Sequence, residues 1–419
     1  MSTSTTTDAA AAEAANSGSI GDAIRDYTIR VRGGELGALP SVLALFTLII
    51  IFTVMKGSIF FSTFNFANLI TQSAAVIVIA MGLIFVLLLG EIDLSAGYAA
   101  GTAGAVLAVT LTLKGWPLPL ALVACLGTGL IIGLFIGVVV ARIGIPSFVV
   151  TLAMFLALQG LMLLIIGEGG TIGVTNPTIV AIMNSNLTPL AGWILFLIVI
   201  LGYAGSTYAT LRRRQKAGLI TQSVSVWAAK TAALAILLGA ATYLLNQERS
   251  RNPAASIQGI PYVVVLILIL LVGLTFVLQR TAFGRHVYAV GGNAEAARRA
   301  GISVPGVRIA CFIFCSTLAA VAGILFASKD NSISPSTGGS TTLLFAVGAA
   351  VIGGTSLFGG RGKIRDAILG GLVVAVIGNG LPLITDKSGI QYIVTGLVLL
   401  IAASVDALSR RRAQATGRA

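Results

Sequence analysis

Apolar stretches of about twenty residues recur through this chain, and no other feature narrows its fold as far. A helix of that length crosses the roughly 30 Å hydrocarbon core of a bilayer. We read spans at 38–55, 67–90, 94–113, 118–141, 147–166, 189–209, 224–245, 260–279, 306–327, 342–360, 364–385 and 389–407. That makes about twelve crossings, with ten as the lower bound, because 94–113 and 342–360 are glycine-rich and read as broken or short helices. Only 10% of the 419 residues are charged, against roughly a quarter in a soluble domain, so a soluble surface is excluded. The expected class is an all-α polytopic membrane protein, with one transmembrane domain over 37–408. Its 50 glycines suit close helix approach within a bundle. Residues 1–36, rich in Ala, Ser and Thr, read as a disordered tail with no secretory signal, and 409–419 as a basic tail.

Basic residues set the orientation. With a cytoplasmic N-terminus and an even number of crossings, inside segments hold Arg25, Arg30 and Arg32, then Arg142, then Arg212, Arg213, Arg214 and Lys216. They continue with Arg280, Arg285, Arg298 and Arg299, with Arg361 and Lys363, and with Arg410, Arg411 and Arg412. Outside segments hold Lys56, Lys114, Arg249 with Arg251, Lys329 and Lys387. The basic weight falls inside, so both termini are expected in the cytoplasm. The same placement accounts for the net charge of +13 without a nucleic-acid partner. The longest outside loop, 167–188, reads either as a cap over a substrate vestibule or as a plain connection.

Catalytic and nucleotide motifs are missing. Gly359-Gly-Arg-Gly-Lys363 is glycine-rich and basic, but its spacing is not that of a phosphate loop and Ile364 follows the lysine. No base–nucleophile pair or metal cluster points to an enzyme, and no cofactor is implied. Cys125, Cys311 and Cys315 lie in apolar runs and read as packing residues.

Two polar segments stand out. Glu91-Ile-Asp93-Leu-Ser95 follows the apolar run 74–89. A charge at mid-bilayer costs about 3 kcal/mol on the insertion scale, so this segment ends a span, lines a watered cavity or meets basic partners. Asp93 reads as a cap for a helix starting near Leu94. The second segment, Gln279 to Arg308, is long for an interhelical turn. Asn293 reads as an N-cap, Glu295 suits the first turn, and Gly301 reads as the C′ stop. Between them Ala294, Ala296, Ala297 and Ala300 would give a smooth short helix, with alanines outward for docking on another protein.

Gly292-Asn-Ala-Glu-Ala-Ala-Arg-Arg-Ala-Gly-Ile302 resembles the coupling loop of sugar ABC permeases of the ribose/xylose/arabinose/galactose group. Gly90-Glu-Ile-Asp-Leu-Ser-Ala-Gly97 resembles their acidic signature, with Glu91 in place of a glycine. Val351 to Gly362 resembles their glycine-rich segment, and Val394 to Leu400 their final span. The four stretches fall in order between about residues 65 and 407, and the longer 205–250 segment resembles an insertion of xylose-type permeases.

The resemblance implies the fold of a type II ABC importer permease in a bacterial plasma membrane. It implies a cytoplasmic ATP-binding subunit seated on Gly292, Asn293, Glu295, Ala296, Ala297, Arg298, Gly301 and Ile302. It also implies an extracytoplasmic sugar-binding protein and a second permease copy. Arg249 and Arg251 suit acids on that binding protein, or membrane anchoring. Gln72, Glu91, Asp93, Ser95 and Asn379 are candidates for lining the pathway of a monosaccharide such as xylose. The alternative is a proton-coupled secondary carrier, in which Glu91 and Asp93 would carry the proton.

Overall fold

The computed structural model describes residues 39–219, 221–250, 252 and 256–415. The expected tail at 1–36, Arg251, and residues 416–419 lie outside them. The chain divides into two compact units, the larger from 37–185 and 261–407, the smaller centred on 186–260.

In chain order the first helices are α1 (Leu39–Lys56), α2 (Thr63–Leu88), α3 (Ala96–Ala108), α4 (Leu118–Val138) and α5 (Ser147–Ile166). Strand β1 (Ile172–Gly173) and helices α6 (Pro177–Asn184), α7 (Pro189–Lys216), α8 (Val224–Leu245) and α9 (Tyr262–Arg280) follow. Then come α10 (Ala282–Gly292), α11 (Ala294–Arg299), α12 (Val304–Asp330), β2 (Ser332–Ile333), α13 (Ser340–Gly353), α14 (Ile364–Ile384) and α15 (Ser388–Ala415).

Every stretch read as a span overlaps one of these helices, though 342–360 runs seven residues past the end of α13. Among the described residues ten are long and apolar enough to cross a membrane, while α13 and the apolar part of α15, Ser388–Val398, are shorter. The 14 residues of α13 rise about 21 Å, less than the hydrocarbon thickness. The 94–113 stretch reaches spanning length because a π-helical turn, Val109–Leu113, continues α3. Glycine and proline punctuate the ends: Gly144, at φ +86°, closes the turn after α4, and Pro146 leads into α5.

Helix α12 is the axis of the larger unit, packing on α2, α3, α4 and α6. Lipid tails are as apolar as leucine, so side-chain hydrophobicity alone does not draw such helices together; close backbone contact does. On α4, a Cβ at Gly133 would lie 2.5 Å from the Phe312 carbonyl oxygen and 2.6 Å from the Ile313 Cα. Gly129 and Gly137 meet Ser316 and Ile309 of α12 in the same way. Within 167–185, β1 pairs antiparallel with β2, matching Ile172 to Ile333, and the Ser328 hydroxyl accepts from the Met183 amide at 2.9 Å.

The smaller unit is an antiparallel pair of helices. Trp227 donates its indole N–H to Thr207 at 2.9 Å, and Asn246 reaches the Pro189 carbonyl at 3.2 Å. Beyond α8, Glu248 gathers the loop by accepting from the Ser256 hydroxyl at 2.6 Å and from the amides of Ile257 and Ser250, both at 2.9 Å. Arg249, read as suited to acids on a binding protein or to membrane anchoring, makes its bonds within this loop. Its side chain is buried, donating to the carbonyls of Leu245 and Gly259, because the turn after α8 leaves carbonyls that need donors.

Candidate coupling face and translocation site

Helix α11 is short and fully capped. The Asn293 side chain accepts from the Ala296 amide at 2.9 Å. At the other end the Ile302 amide donates to Ala297 and the Gly301 amide to Arg298, both at 3.0 Å, with Gly301 at φ +81°. This is a complete Schellman stop, which only glycine makes without strain. Glu295 pairs with Arg298 at 2.7 Å and Arg299 at 3.2 Å, but all three side chains are at least half exposed, so each pair is worth about 0.3–0.5 kcal/mol. Ala296 and Ala300 face outward, whereas Ala297 is buried in the core. The expectation of a uniformly outward alanine surface is corrected by the helical period: one turn of an anchored helix must face inward.

Helix α10 ties this face to the interior. The Tyr288 hydroxyl donates to the Gly362 carbonyl at 2.7 Å. Burial, and then the nearby Asp366 carboxylate, push the Tyr288 phenol up from its ordinary value. The glycine-rich turn between α13 and α14 is held from within. Asp366 accepts from the Lys363 amide at 2.7 Å and the Thr355 hydroxyl at 3.2 Å. Gly360 then donates its amide to the Leu88 carbonyl at 2.9 Å, at the end of α2. A Cβ at Gly291 would collide with the same Leu88 carbonyl. Thus the end of α10, the glycine-rich turn and the end of α2 meet backbone to backbone.

The acidic segment lies just beyond that junction. Gly90, at φ +74°, breaks the chain away from α2. Ile92 donates its amide to Ser147 at 3.3 Å and accepts from Thr151 at 3.2 Å, both on α5. Asp93 and Ser95 are fully buried, and Asp93 accepts the Ser95 amide at 2.9 Å and hydroxyl at 2.6 Å. Asp93 thus takes the amide two residues on, as the expected cap does, in the turn that leads into α3 at Ala96. Glu91 meets Arg308 of α12 at 3.2 Å.

The other two pathway candidates come together elsewhere. Asn379 exchanges amide hydrogen bonds with Asn65, both at 2.9 Å, and donates to Gln72 at 3.3 Å. Asn65 was not a sequence candidate; a lone amide near a helix start reads as a cap residue, and nothing local marks a partner 314 positions away. The five candidates therefore split between the two ends of α2. Gln72 and Leu88 are separated by about 24 Å of helix rise.

Glycine crossings, a capped short helix and buried polar groups mark a polytopic membrane bundle. The sequence model described as branched-chain amino acid transport system / permease component matches residues 65–403, and the chain belongs to that family. The xylose transport system permease protein XylH of Escherichia coli K12 is 36% identical over 378 residues, 90% of this chain and 93% of that protein. XylH of Haemophilus influenzae is 34% identical over 91% of this chain and 99% of its own length. The ribose import permease protein RbsC of Escherichia coli K12 is 30% identical over 87% of this chain and 92% of that protein. No solved structure matches the chain.

Proposed function

We propose that this chain is the membrane-spanning subunit of an ATP-driven importer of a monosaccharide, xylose in the first instance. The observation carrying the reading is the 36% identity with a xylose permease along 90% of the chain, above the 30% with a ribose permease. ATP is hydrolysed by a separate cytoplasmic subunit. Its docking face is α10 and α11, with Gly292, Asn293, Glu295, Ala296, Arg298, Gly301 and Ile302 as contacts or caps and Ala297 as the buried anchor. Both termini are cytoplasmic, in keeping with the basic weight of that face.

Two copies of the chain enclose the pathway, and a soluble sugar-binding protein delivers xylose from outside. Closure of the ATP-binding pair shifts α11, and α10 carries the shift to the glycine-rich turn and the end of α2. The two bundles rock and access alternates. The half-buried amides of Gln72 and Asn379, with Asn65, suit transient hydrogen bonding to sugar hydroxyls. Glu91, Asp93 and Ser95 serve the break between α2 and α3, where Ser95 satisfies one oxygen of Asp93, the other stays buried without a partner among the described residues, and Glu91 meets Arg308.

The test is initial uptake of labelled xylose, ribose and leucine into cells carrying the chain with its native partners, with and without a protonophore. Xylose uptake that survives the protonophore and is lost in Ala296→Glu supports the reading. Uptake that collapses with the proton gradient, or leucine entering in place of sugars, sinks it.

A further inference from the structure

Among the described residues three ion pairs form, and two of them lie within α11. The third, Glu91 with Arg308, joins the break between α2 and α3 to the start of α12. Arg308 stands five positions after the Ser303 cap, at the head of the helix that leaves the α11 stop directly. Arg308 thus lies on the element that continues the chain from α11. On the other side, Glu91 follows Gly90, whose left-handed backbone ends α2 and turns the chain toward α3.

The contact has the form of a latch rather than a fixed staple. Its shortest approach, from one terminal guanidinium nitrogen to one carboxylate oxygen, is 3.2 Å. The Arg308 Nε is buried and has no hydrogen-bond partner. A rigid staple would engage Nε and a terminal nitrogen together in a fork. A buried donor left unmade in one state is satisfied most simply by a second arrangement of the same two side chains. The Glu91 side chain is 15% exposed and that of Arg308 32%, so salt screens the pair less than a surface one.

We propose that Glu91 and Arg308 are positioning residues of the transport cycle: their link transmits movement of the coupling helix to the α2–α3 break. The proposal rests on the ATP-driven reading above. A lost link leaves ATP turnover running while sugar movement falls behind it.

The experiment uses the whole complex, with its ATP-binding subunit and binding protein, in proteoliposomes. Xylose moved and ATP hydrolysed are measured together for wild type, Glu91→Gln, Arg308→Gln and the exchanged Glu91→Arg/Arg308→Glu. The expected result is about a five-fold or larger drop in xylose per ATP in each single variant. The exchange should recover the ratio to within about two-fold. A purely structural contact would lower transport and hydrolysis together and leave the ratio alone. Single variants with the wild-type ratio, or an exchange no better than the singles, overturn the latch. A wild-type complex that hydrolyses ATP without moving sugar overturns the importer reading and the latch with it, and that result appears before any substitution is made.

Discussion

Replacing Gly133 by alanine should loosen the bundle, while the same change six positions earlier should not. A Cβ at Gly133 would sit 2.5 Å from the Phe312 carbonyl oxygen, where ordinary contact begins near 3.4 Å. The obstructing atoms are backbone of α12, so no side chain can rotate away; the two helices must part by about 0.9 Å (3.4 − 2.5). Overpacking of this kind costs about 1–3 kcal/mol. At Gly127 of the same helix a Cβ would meet nothing within 4 Å, and alanine there gains up to about 1 kcal/mol of helix propensity. The propensity gain is common to both sites and cancels, so the gap between the variants is the overpacking cost, about 1–3 kcal/mol or roughly 5- to 140-fold in the folded ratio. Titration with SDS in mixed micelles, followed by circular dichroism, measures it. Equal shifts for both variants, or a larger loss for Gly127→Ala, would refute the claim that glycine crossings hold α4 to α12.

Three further outcomes follow from the same geometry. Asn293→Ala removes the α11 cap, worth about 1 kcal/mol, and should speed amide exchange at Ala296 while leaving α12 protected. Glu248 is held at about 2, against an ordinary 4.5, chiefly by the Ser256 hydroxyl and then the Ile257 and Ser250 amides. A depressed carboxylate supports its loop above pH 4.5 and loses that support as pH falls toward 2, so exchange in 246–260 should rise across that window in wild type and stay flat in Glu248→Gln. Asn379→Leu removes the partner that Asn65 and Gln72 share and should lower xylose uptake at saturating ATP by about ten-fold, the effect of about 1.4 kcal/mol; uptake at the wild-type rate would remove these amides from the pathway.

Local signals were legible in the sequence. Asn293 and Gly301 act through bonds within a few residues, so their types and spacing foretold the capped helix. The spans were equally plain, because length and hydropathy are properties of the chain itself. Long-range pairings were not. Glu91 carries no mark of Arg308, nor Asn379 of Asn65, since such partners are set by how helices pack. Nothing local marked that the Arg249 guanidinium would turn to the carbonyls of Leu245, at the end of α8, and Gly259, ten positions on. Ala297 misled: its small side chain suited a docking surface, and the helix turned it into the core.

The most direct measurement is xylose uptake by proteoliposomes holding this chain with its ATP-binding subunit and sugar-binding protein, in the absence of any ion gradient. ATP sealed with its hydrolytic subunit should drive labelled xylose inward when the binding protein is present, and ribose and leucine should lag well behind. Xylose that moves only with an imposed proton gradient, or at the same rate without ATP, would contradict the assignment.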